Sequence, residues 1–171
     1  MHQRKYVLEL ISETGLVAAK PAVTPVDINV QLTSRQYDEH LGISNTTDPP
    51  TDQSSHQRVI GKLLYLTVTR LEIAYSVQTL SPFLQDPKKY HMEATLRIVS
   101  YLKQQPGKGV LLSSKSDLTM SAYCCDCCDA DWASCPMSRK SITGYLIKLG
   151  DSLITWKSKK QTFVSRSSAE S

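Results

Sequence analysis

The spacing of apolar residues changes near Gly107, and this change is the strongest constraint on how the chain can fold. Before it, Val59, Leu63 and Leu66 recur at the spacing of one helix face. After it, short runs of branched and aromatic residues lie between turn signals, as in strands. These runs cover 110–113, 118–124, 142–149 and 152–157. The pattern predicts an α+β chain, with helices first and an antiparallel sheet second.

Four helices are predicted in the first part of the chain. The first covers 3–13, because Tyr6, Val7, Leu10 and Ile11 form one apolar stripe and Gly15 can end it in a left-handed conformation. Three more are predicted at 57–69, 72–84 and 88–104. Their regularly spaced apolar residues indicate a packed core, which is a more common reason for this spacing than a cofactor site.

The stretch 20–55 separates the first helix from the other three. It holds Pro21, Pro25, Pro49 and Pro50 among small polar residues and shows little periodicity. This composition predicts an extended linker with a mobile middle. The predicted organisation is a first helix at 1–19, a linker at 20–55, a three-helix segment at 56–107 and a sheet segment at 108–171.

Composition limits the class of protein only broadly. The net charge of +4 and a pI near 8.8 fit a surface that binds polyanions, although many proteins with this charge bind no nucleic acid. The N-terminus lacks a secretory pattern and no apolar run is long enough to cross a bilayer, so we expect an intracellular protein without a membrane partner. In a reducing compartment the five cysteines would remain thiols.

Eight short blocks follow one another along the chain. They are Gln-Arg-Lys-Tyr at 3–6, Lys-Pro and Thr-Pro at 20–25, Gly-Lys-Leu-Leu-Tyr-Leu at 61–66, Tyr-Leu-Lys at 101–103, Asp-Ala-Asp-Trp-Ala at 129–133, Thr-Gly-Tyr at 143–145, Trp-Lys-Ser-Lys-Lys-Gln at 156–161 and Ser-Ser-Ala-Glu at 167–170. In this order they resemble the copia-type retrotransposon polyprotein, especially that of plant elements. The resemblance implies the thumb or connection end of a reverse transcriptase followed by the start of a ribonuclease H (RNase H)-like domain.

Two departures from the family affect the expected activity. The paired aspartates of the polymerase have no counterpart here, and the family continues past the glutamate matched by Glu170 to a second, catalytic glutamate. We therefore expect a catalytically inactive remnant of the Pol polyprotein that binds at most an RNA–DNA hybrid or other nucleic acid, with the remainder of Pol as a partner. One alternative is a fragment of an active RNase H that cleaves the RNA strand of hybrids. Another is a non-catalytic module that binds nucleic acid or zinc.

Asp129 is the catalytic residue that the resemblance implies. In such nucleases an aspartate of the first strand bridges two Mg²⁺ ions, which generate the attacking hydroxide and stabilise the leaving oxygen. Mg²⁺ is therefore the expected cofactor, although its site is incomplete. Asp131 is a second candidate ligand, with a structural role in the turn as the alternative. From the residues alone, bonding to nearby backbone amides at a strand end is a more common role for an aspartate such as Asp129 than metal binding.

A cysteine cluster precedes Asp129. The triplet Cys-Cys-Asp at 124–126 is repeated at 127–129, which places two pairs of cysteines at Cys-x-x-Cys spacing, and Cys135 lies further along. This spacing permits zinc, but a structural zinc site needs a second, separated ligand pair. A small tandem duplication that leaves reduced cysteines is the simpler interpretation.

One basic stretch is a candidate nucleic-acid-binding surface. It contains Lys157, Lys159, Lys160 and Arg166, with Trp156 just before it. On a strand and the turn after it, these cations could contact phosphates independently of base sequence. The alternative is a solvated hairpin edge whose lysines prevent pairing with other sheets.

Overall fold

A computed structural model of the chain describes residues 1–27, 30–42, 51–114, 119–125, 137, 139–140 and 142–162. The chain forms two compact units. His2–Lys108 is the helical unit, and Gly109–Ser171 together with Met1 is the sheet unit. The α+β class predicted from the change in apolar spacing is confirmed.

Five α-helices and three strands account for the regular structure of the described residues. The helices are α1 Arg4–Glu13, α2 Arg35–His40, α3 Gln53–Leu66, α4 Ala74–Leu80 and α5 Lys89–Leu102, with 3₁₀ turns at Leu71–Ile73 and Ser81–Phe83. The strands are β1 Met120–Cys125, β2 Ile142–Leu149 and β3 Ser152–Lys160. In this part of the chain no helix combines the length and the apolar character that a membrane span requires.

Helix α1 forms as its sequence predicts. Val7, Leu10 and Ile11 are buried on one side of it. Gly15 follows the helix with a φ of +71°, where a side chain would be strained. The N–H of Leu16 donates to the carbonyl of Ile11 at 3.1 Å, which closes the helix with a Schellman motif.

The structure differs from the extended linker predicted over 20–55. Helix α2 lies within this stretch, and the Ser34 hydroxyl caps it by accepting the N–H of Tyr37 at 3.2 Å. Helix α3 begins at Gln53, four residues before the predicted 57, because the Asp52 carboxylate caps its first turn. This carboxylate accepts hydrogen bonds from the backbone N–H groups of Ser54 and Ser55 at 3.1 and 3.3 Å. The capping residues were visible in the sequence, but the many prolines around them favoured a linker.

The residues on either side of position 20, where the predicted linker begins, are bound to α5 and its C-cap. The Lys103 ammonium donates to the carbonyls of Leu16 and Ala19 at 3.1 and 2.6 Å. Further along, the Arg97 guanidinium donates to the carbonyl and hydroxyl of Thr24 at 3.3 and 3.1 Å. Residues 16–24 therefore form a strap that follows α5 and its C-cap residue Lys103. The carbonyls of Leu16, Ala19 and Thr24 in this strap accept hydrogen bonds from the long side chains of Lys103 and Arg97.

The core of the helical unit contains side chains from α1, α3, α4 and α5. Its buried members are Val7, Leu10, Ile11, Val59, Ile60, Leu63, Leu66, Ile73, Val77, Leu80, Ile98, Val99 and Leu102. Each large aliphatic side chain that is removed from water stabilises the fold by about 1.5–3 kcal/mol. This core explains the helical spacing of the apolar residues, as the sequence predicts.

The sheet is antiparallel and has the order β1-β2-β3. The predicted turn at Gly150-Asp151 joins β2 to β3, and Gly150 adopts a φ of +53°. The predicted strand at 110–113 does not form. The backbone groups of that segment are bonded elsewhere, since the N–H of Val110 donates to the Met1 carbonyl at 2.9 Å and that of Ser113 to the Ser152 hydroxyl at 2.8 Å.

A β-bulge interrupts the pairing of β2 with β3. Lys148 lies opposite Leu153, whereas Ile147 lies opposite Thr155, so Ile154 is an extra residue in β3. Beyond the bulge the pairing is regular as far as Ile142 and Lys160. The bulge therefore shifts every later residue of β3 by one position relative to β2. Side chains that a regular hairpin would place on one face of the sheet lie on the other face.

Candidate nucleic-acid interface

The three lysines of the predicted basic stretch lie on two different faces of the sheet. Successive side chains of a strand point to opposite faces, so Lys157 and Lys159 share one face and Lys160 lies on the other. Both Lys157 and Lys159 are exposed, whereas Lys160 is half-buried. The lysines that the sequence predicted as one basic surface are therefore separated by the structure.

Lys157 lies directly opposite Tyr145 of the central strand, and Cys124 of β1 lies opposite Tyr145 on its other side. Directly opposite residues have Cβ atoms about 4.5–5.5 Å apart and share a face. The Tyr145 face is the sheet surface formed by Ala122, Cys124, Thr143, Tyr145, Ile147, Thr155, Lys157 and Lys159. The end of this face that carries Lys157 and Lys159 is its cationic end. Tyr145 lies at that end on the central strand and is 45% exposed.

The charge on the Tyr145 face is of one sign. Lys157 and Lys159 lie two residues apart on β3, and Lys159 is opposite Thr143. Among the strand positions that the structure describes, this face carries no aspartate or glutamate. Its potential is therefore positive and suited to an anion such as a phosphate.

The opposite face has a different character. It carries Leu146 and Trp156, which are directly opposite each other and half-buried, together with the half-buried Lys160. Tyr123 lies at its β1 edge, opposite Leu146, and is 55% exposed. Lys160 lies opposite Ile142 at the end of this face and makes contacts of its own.

The other predicted site residues lie outside the described part of the chain. These are Asp129 and Asp131, the predicted catalytic and Mg²⁺-binding residues, and Arg166. Their roles stay predictions. The resemblance implies that the two aspartates bind Mg²⁺, and this expectation falls on residues whose structure is not described.

The same holds for most of the cysteine cluster. Cys124 is exposed on the Tyr145 face, whereas Cys127, Cys128 and Cys135 lie outside the described residues. Over the ranges that are described, no three His, Cys, Asp or Glu side chains come together as a metal site would require. The zinc alternative therefore gains no support from this part of the structure.

Sequence reasoning did not identify Tyr145 as a site residue. It belongs to the Thr-Gly-Tyr block, and its position before a predicted turn suggested only a strand. Counting back from Gly150-Asp151 without a bulge would place Tyr145 opposite Trp156. The bulge places Tyr145 opposite Lys157 instead. No residue type at Ile154 marks a bulge, so the sequence contained no clear signal for this arrangement.

The helical unit contains two fully buried histidines, His56 and His91. The Thr95 hydroxyl donates to the His91 carbonyl at 2.8 Å, so it accepts from His56 Nε2 at 3.2 Å. The N–H of Lys88 donates to His91 Nδ1 at 3.0 Å. His91 is therefore neutral with its proton on Nε2, and His56 also carries a proton on Nε2.

Burial sets the protonation of both rings. Desolvation lowers the pKa of His56, and desolvation together with the nearby His56 and Lys88 lowers the pKa of His91 to about 3. His91 is stacked on Phe83 with ring centroids 4.0 Å apart. A metal would need the Nε2 lone pair of His91, but that nitrogen carries the proton because Nδ1 accepts a backbone N–H. These histidines are structural members of the core.

The comparisons with known proteins identify the relatives of this chain. The Retrovirus-related Pol polyprotein from transposon RE1 of Arabidopsis thaliana is 36% identical over 170 residues, which is 99% of this chain and 11% of the relative. The corresponding protein from transposon TNT 1-94 of Nicotiana tabacum is 32% identical over 178 residues, 99% of this chain and 12% of the relative. An uncharacterized mitochondrial protein of Arabidopsis thaliana is 31% identical over 170 residues, 99% of this chain and 65% of the relative.

No family model matches the chain, and no solved structure gives a significant match. The chain spans about a ninth of the Pol polyproteins that it matches, at 11–12% of their length. The similarity to these polyproteins nevertheless covers 99% of the chain, through both the helical and the sheet unit. The chain therefore belongs to the family of retrovirus-related Pol polyproteins of copia-type retrotransposons.

Proposed function

We propose that this chain contributes a nucleic-acid-binding surface to the reverse transcriptase–RNase H region of a copia-type Pol polyprotein. The surface is the Tyr145 face. Its ligand is the phosphate backbone of an RNA–DNA hybrid or other nucleic acid, and the remainder of Pol is the expected protein partner. In this proposal the sheet unit is the beginning of an RNase H-like sheet, consistent with three sequential antiparallel strands followed in the family by further elements.

One observation carries the proposal. Lys157 and Lys159 are exposed on the same face, and no carboxylate occupies a described strand position there. Two exposed ammonium groups on a face whose described strand positions hold no carboxylate attract a polyanion, and binding releases the counterions that surround the nucleic acid. Family membership favours nucleic acid over other polyanions, because the relatives are Pol polyproteins.

Binding and catalysis are separate questions in this proposal. Cleavage of a hybrid would require Mg²⁺ at Asp129 and additional carboxylates from other elements, since Mg²⁺ binds weakly to isolated ligands. When bound, Mg²⁺ would supply the charge that activates water and stabilises the leaving oxygen. The Tyr145 face needs no metal for its proposed task, which is to hold the phosphate backbone.

The test is the salt dependence of binding. The full chain is titrated against a fluorescent RNA–DNA hybrid at several salt concentrations, with the double variant Lys157→Gln/Lys159→Gln and the matched variant Lys160→Gln. We expect the double variant to bind more weakly, and the negative slope of log K against log salt to become shallower by roughly 0.7–0.9 per lysine. Lys160→Gln should have little effect. An equal loss in Lys160→Gln, or an unchanged slope in the double variant, would contradict the proposal.

A further inference from the structure

Tyr145 has an accessible aromatic side chain between the groups that would bind phosphates. It stands on the central strand of the sheet, 45% exposed, with Cys124 opposite on one side and Lys157 on the other. Strand side chains project away from the sheet plane, so the ring shares this face with its nearest neighbours, which are Thr143 and Ile147 on β2, Cys124 on β1 and Lys157 on β3. Among the described residues, Tyr145 makes no ring contact of the kind that joins Tyr6 to Tyr65.

The two lysines lie along one side of this ring. Lys157 is its direct cross-strand partner, and Lys159 is two residues further on, about 6.8 Å along the strand. A nucleic-acid strand that follows β3 would place its phosphates at these ammonium groups. Its bases would then lie towards the central strand, where Tyr145 is.

From this arrangement we infer that the Tyr145 face binds single-stranded nucleic acid, with an unpaired base stacked on the Tyr145 ring. This inference rests on the proposed function and specifies its ligand. In a duplex the base faces are stacked inside the helix, so Tyr145 can stack on none of them and contact is limited to the backbone and the base edges. An aromatic side chain beside cations is the arrangement by which proteins bind single strands with little sequence preference.

Stacking gives single strands an advantage over duplexes of the same length. Loss of one base–aromatic stack weakens binding by about 5- to 150-fold. The hybrid lacks this contribution except at its frayed ends. The wild-type chain is therefore expected to bind a single strand more tightly than a hybrid of equal length at the same salt concentration.

The experiment compares two tyrosines of the sheet. Fluorescence anisotropy of the full chain is measured with a labelled oligothymidylate and with an RNA–DNA hybrid of the same length. The variants are Tyr145→Leu, Tyr145→Phe and the matched control Tyr123→Leu, which changes an exposed tyrosine on the opposite face. We expect Tyr145→Leu to lose single-strand affinity by about 5- to 150-fold with little change for the hybrid. Tyr145→Phe and Tyr123→Leu should bind nearly as the wild type does.

A second measurement avoids any effect of the substitutions on folding. The wild-type chain is titrated with an oligonucleotide of the same length that lacks bases at its central positions. We expect weaker binding to this abasic strand than to oligothymidylate, because the phosphates are retained and the stacking bases are absent. Equal affinity for the two strands would overturn the inference.

The outcomes separate this inference from the proposed function. If Tyr145→Leu leaves single-strand binding unchanged while Lys157→Gln/Lys159→Gln weakens it, stacking is overturned and phosphate binding stands. Equal losses in Tyr145→Leu and Tyr123→Leu would overturn the assignment to the Tyr145 face. If neither oligonucleotide binds the wild-type chain, the proposed function and the inference both fail.

Discussion

Tyr145 and Lys157 lie directly opposite each other on β2 and β3, because Ile154 is an extra residue in β3. In a regular hairpin about Gly150-Asp151, Tyr145 would face Trp156 instead. The bulge thus decides which β3 residues share a surface with Tyr145. It places Lys157 and Lys159 there and leaves Trp156 and Lys160 on the other face.

Cross-linking tests this register. In a background with all five cysteines replaced by serine, Tyr145→Cys/Lys157→Cys should form a disulfide under mild oxidation, since opposite Cα atoms are about 4.5–5.5 Å apart. Tyr145→Cys/Trp156→Cys should not, because its side chains point to opposite faces. Mass spectrometry of a proteolytic digest identifies the linked peptides. Preferential cross-linking of the second pair would show that the hairpin is regular.

Acid should destabilise the helical unit through its buried histidines. The pKa of His91 is about 3 and that of His56 is also lowered, whereas an unfolded histidine titrates near 6.5. Below about pH 6.5 the unfolded chain therefore binds protons that the folded chain does not. The free energy of unfolding should fall with pH by up to about 1.4 kcal/mol per unit for each histidine, down to about pH 3 for His91.

Urea unfolding followed by helical circular dichroism at pH 7, 6 and 5 measures this loss. His91→Phe should show a shallower dependence on pH, at a cost of about 1 kcal/mol at pH 7 from the lost bond to the Lys88 N–H. His40→Gln, at an exposed position, is the matched control and should follow the wild type. A wild-type stability that is the same at pH 7, 6 and 5 would refute the assignment.

The ion pair between Lys88 and Asp38 should contribute strongly to stability. The two side chains are only 5% and 18% exposed, and Lys88 also lies 5.3 Å from the centre of the Tyr90 ring. Although desolvation opposes both shifts, hydrogen bonding between the partners raises the pKa of Lys88 and lowers that of Asp38. Lys88→Met would leave a largely buried carboxylate without its cation. We expect a loss of about 3 kcal/mol in the free energy of unfolding.

The neighbouring residue provides a matched control. Lys89 pairs with Glu93 at 3.7 Å, but both side chains are more than half exposed. Lys89→Met should therefore cost less than about 0.5 kcal/mol. The double variant Lys88→Met/Asp38→Asn should recover part of the loss, since the buried charge is removed. Equal effects of Lys88→Met and Lys89→Met in urea unfolding would contradict the structure.

Lys103 should hold the strap of residues 16–24 against α5. Its ammonium donates to the carbonyls of Leu16 and Ala19, and these bonds from a charged donor contribute about 1.5–3 kcal/mol each when buried. Lys103→Met keeps the aliphatic stem but removes the donors. Thermolysin should then cleave the strap near Leu16 and Val17 several-fold faster, as the strap opens more often. Lys20→Met, at an exposed position of the same strap, should leave the cleavage rate unchanged.

The sequence alone determined the local structure that depends on neighbouring residues. The stripe of Val7, Leu10 and Ile11 with Gly15 after it identified α1, and Gly150-Asp151 identified the hairpin turn. The sequence also identified the family, because eight short blocks in the same order are specific even though each block alone is weak. These signals depend on the period of apolar residues and on the backbone conformation that glycine permits.

Helix α2 depended on tertiary contacts. Asp38 of α2 pairs with Lys88, which is 50 residues away in the sequence, and no local pattern indicates that pair. The candidate site on the Tyr145 face also depended on tertiary structure. The sequence showed a basic stretch, but a side chain's face on a strand depends on register, and register depended on one extra residue in β3. Local sequence therefore indicated the three strands of the sheet and the positions of its lysines, whereas the bulged pairing of β2 with β3 decided which lysines lie beside Tyr145.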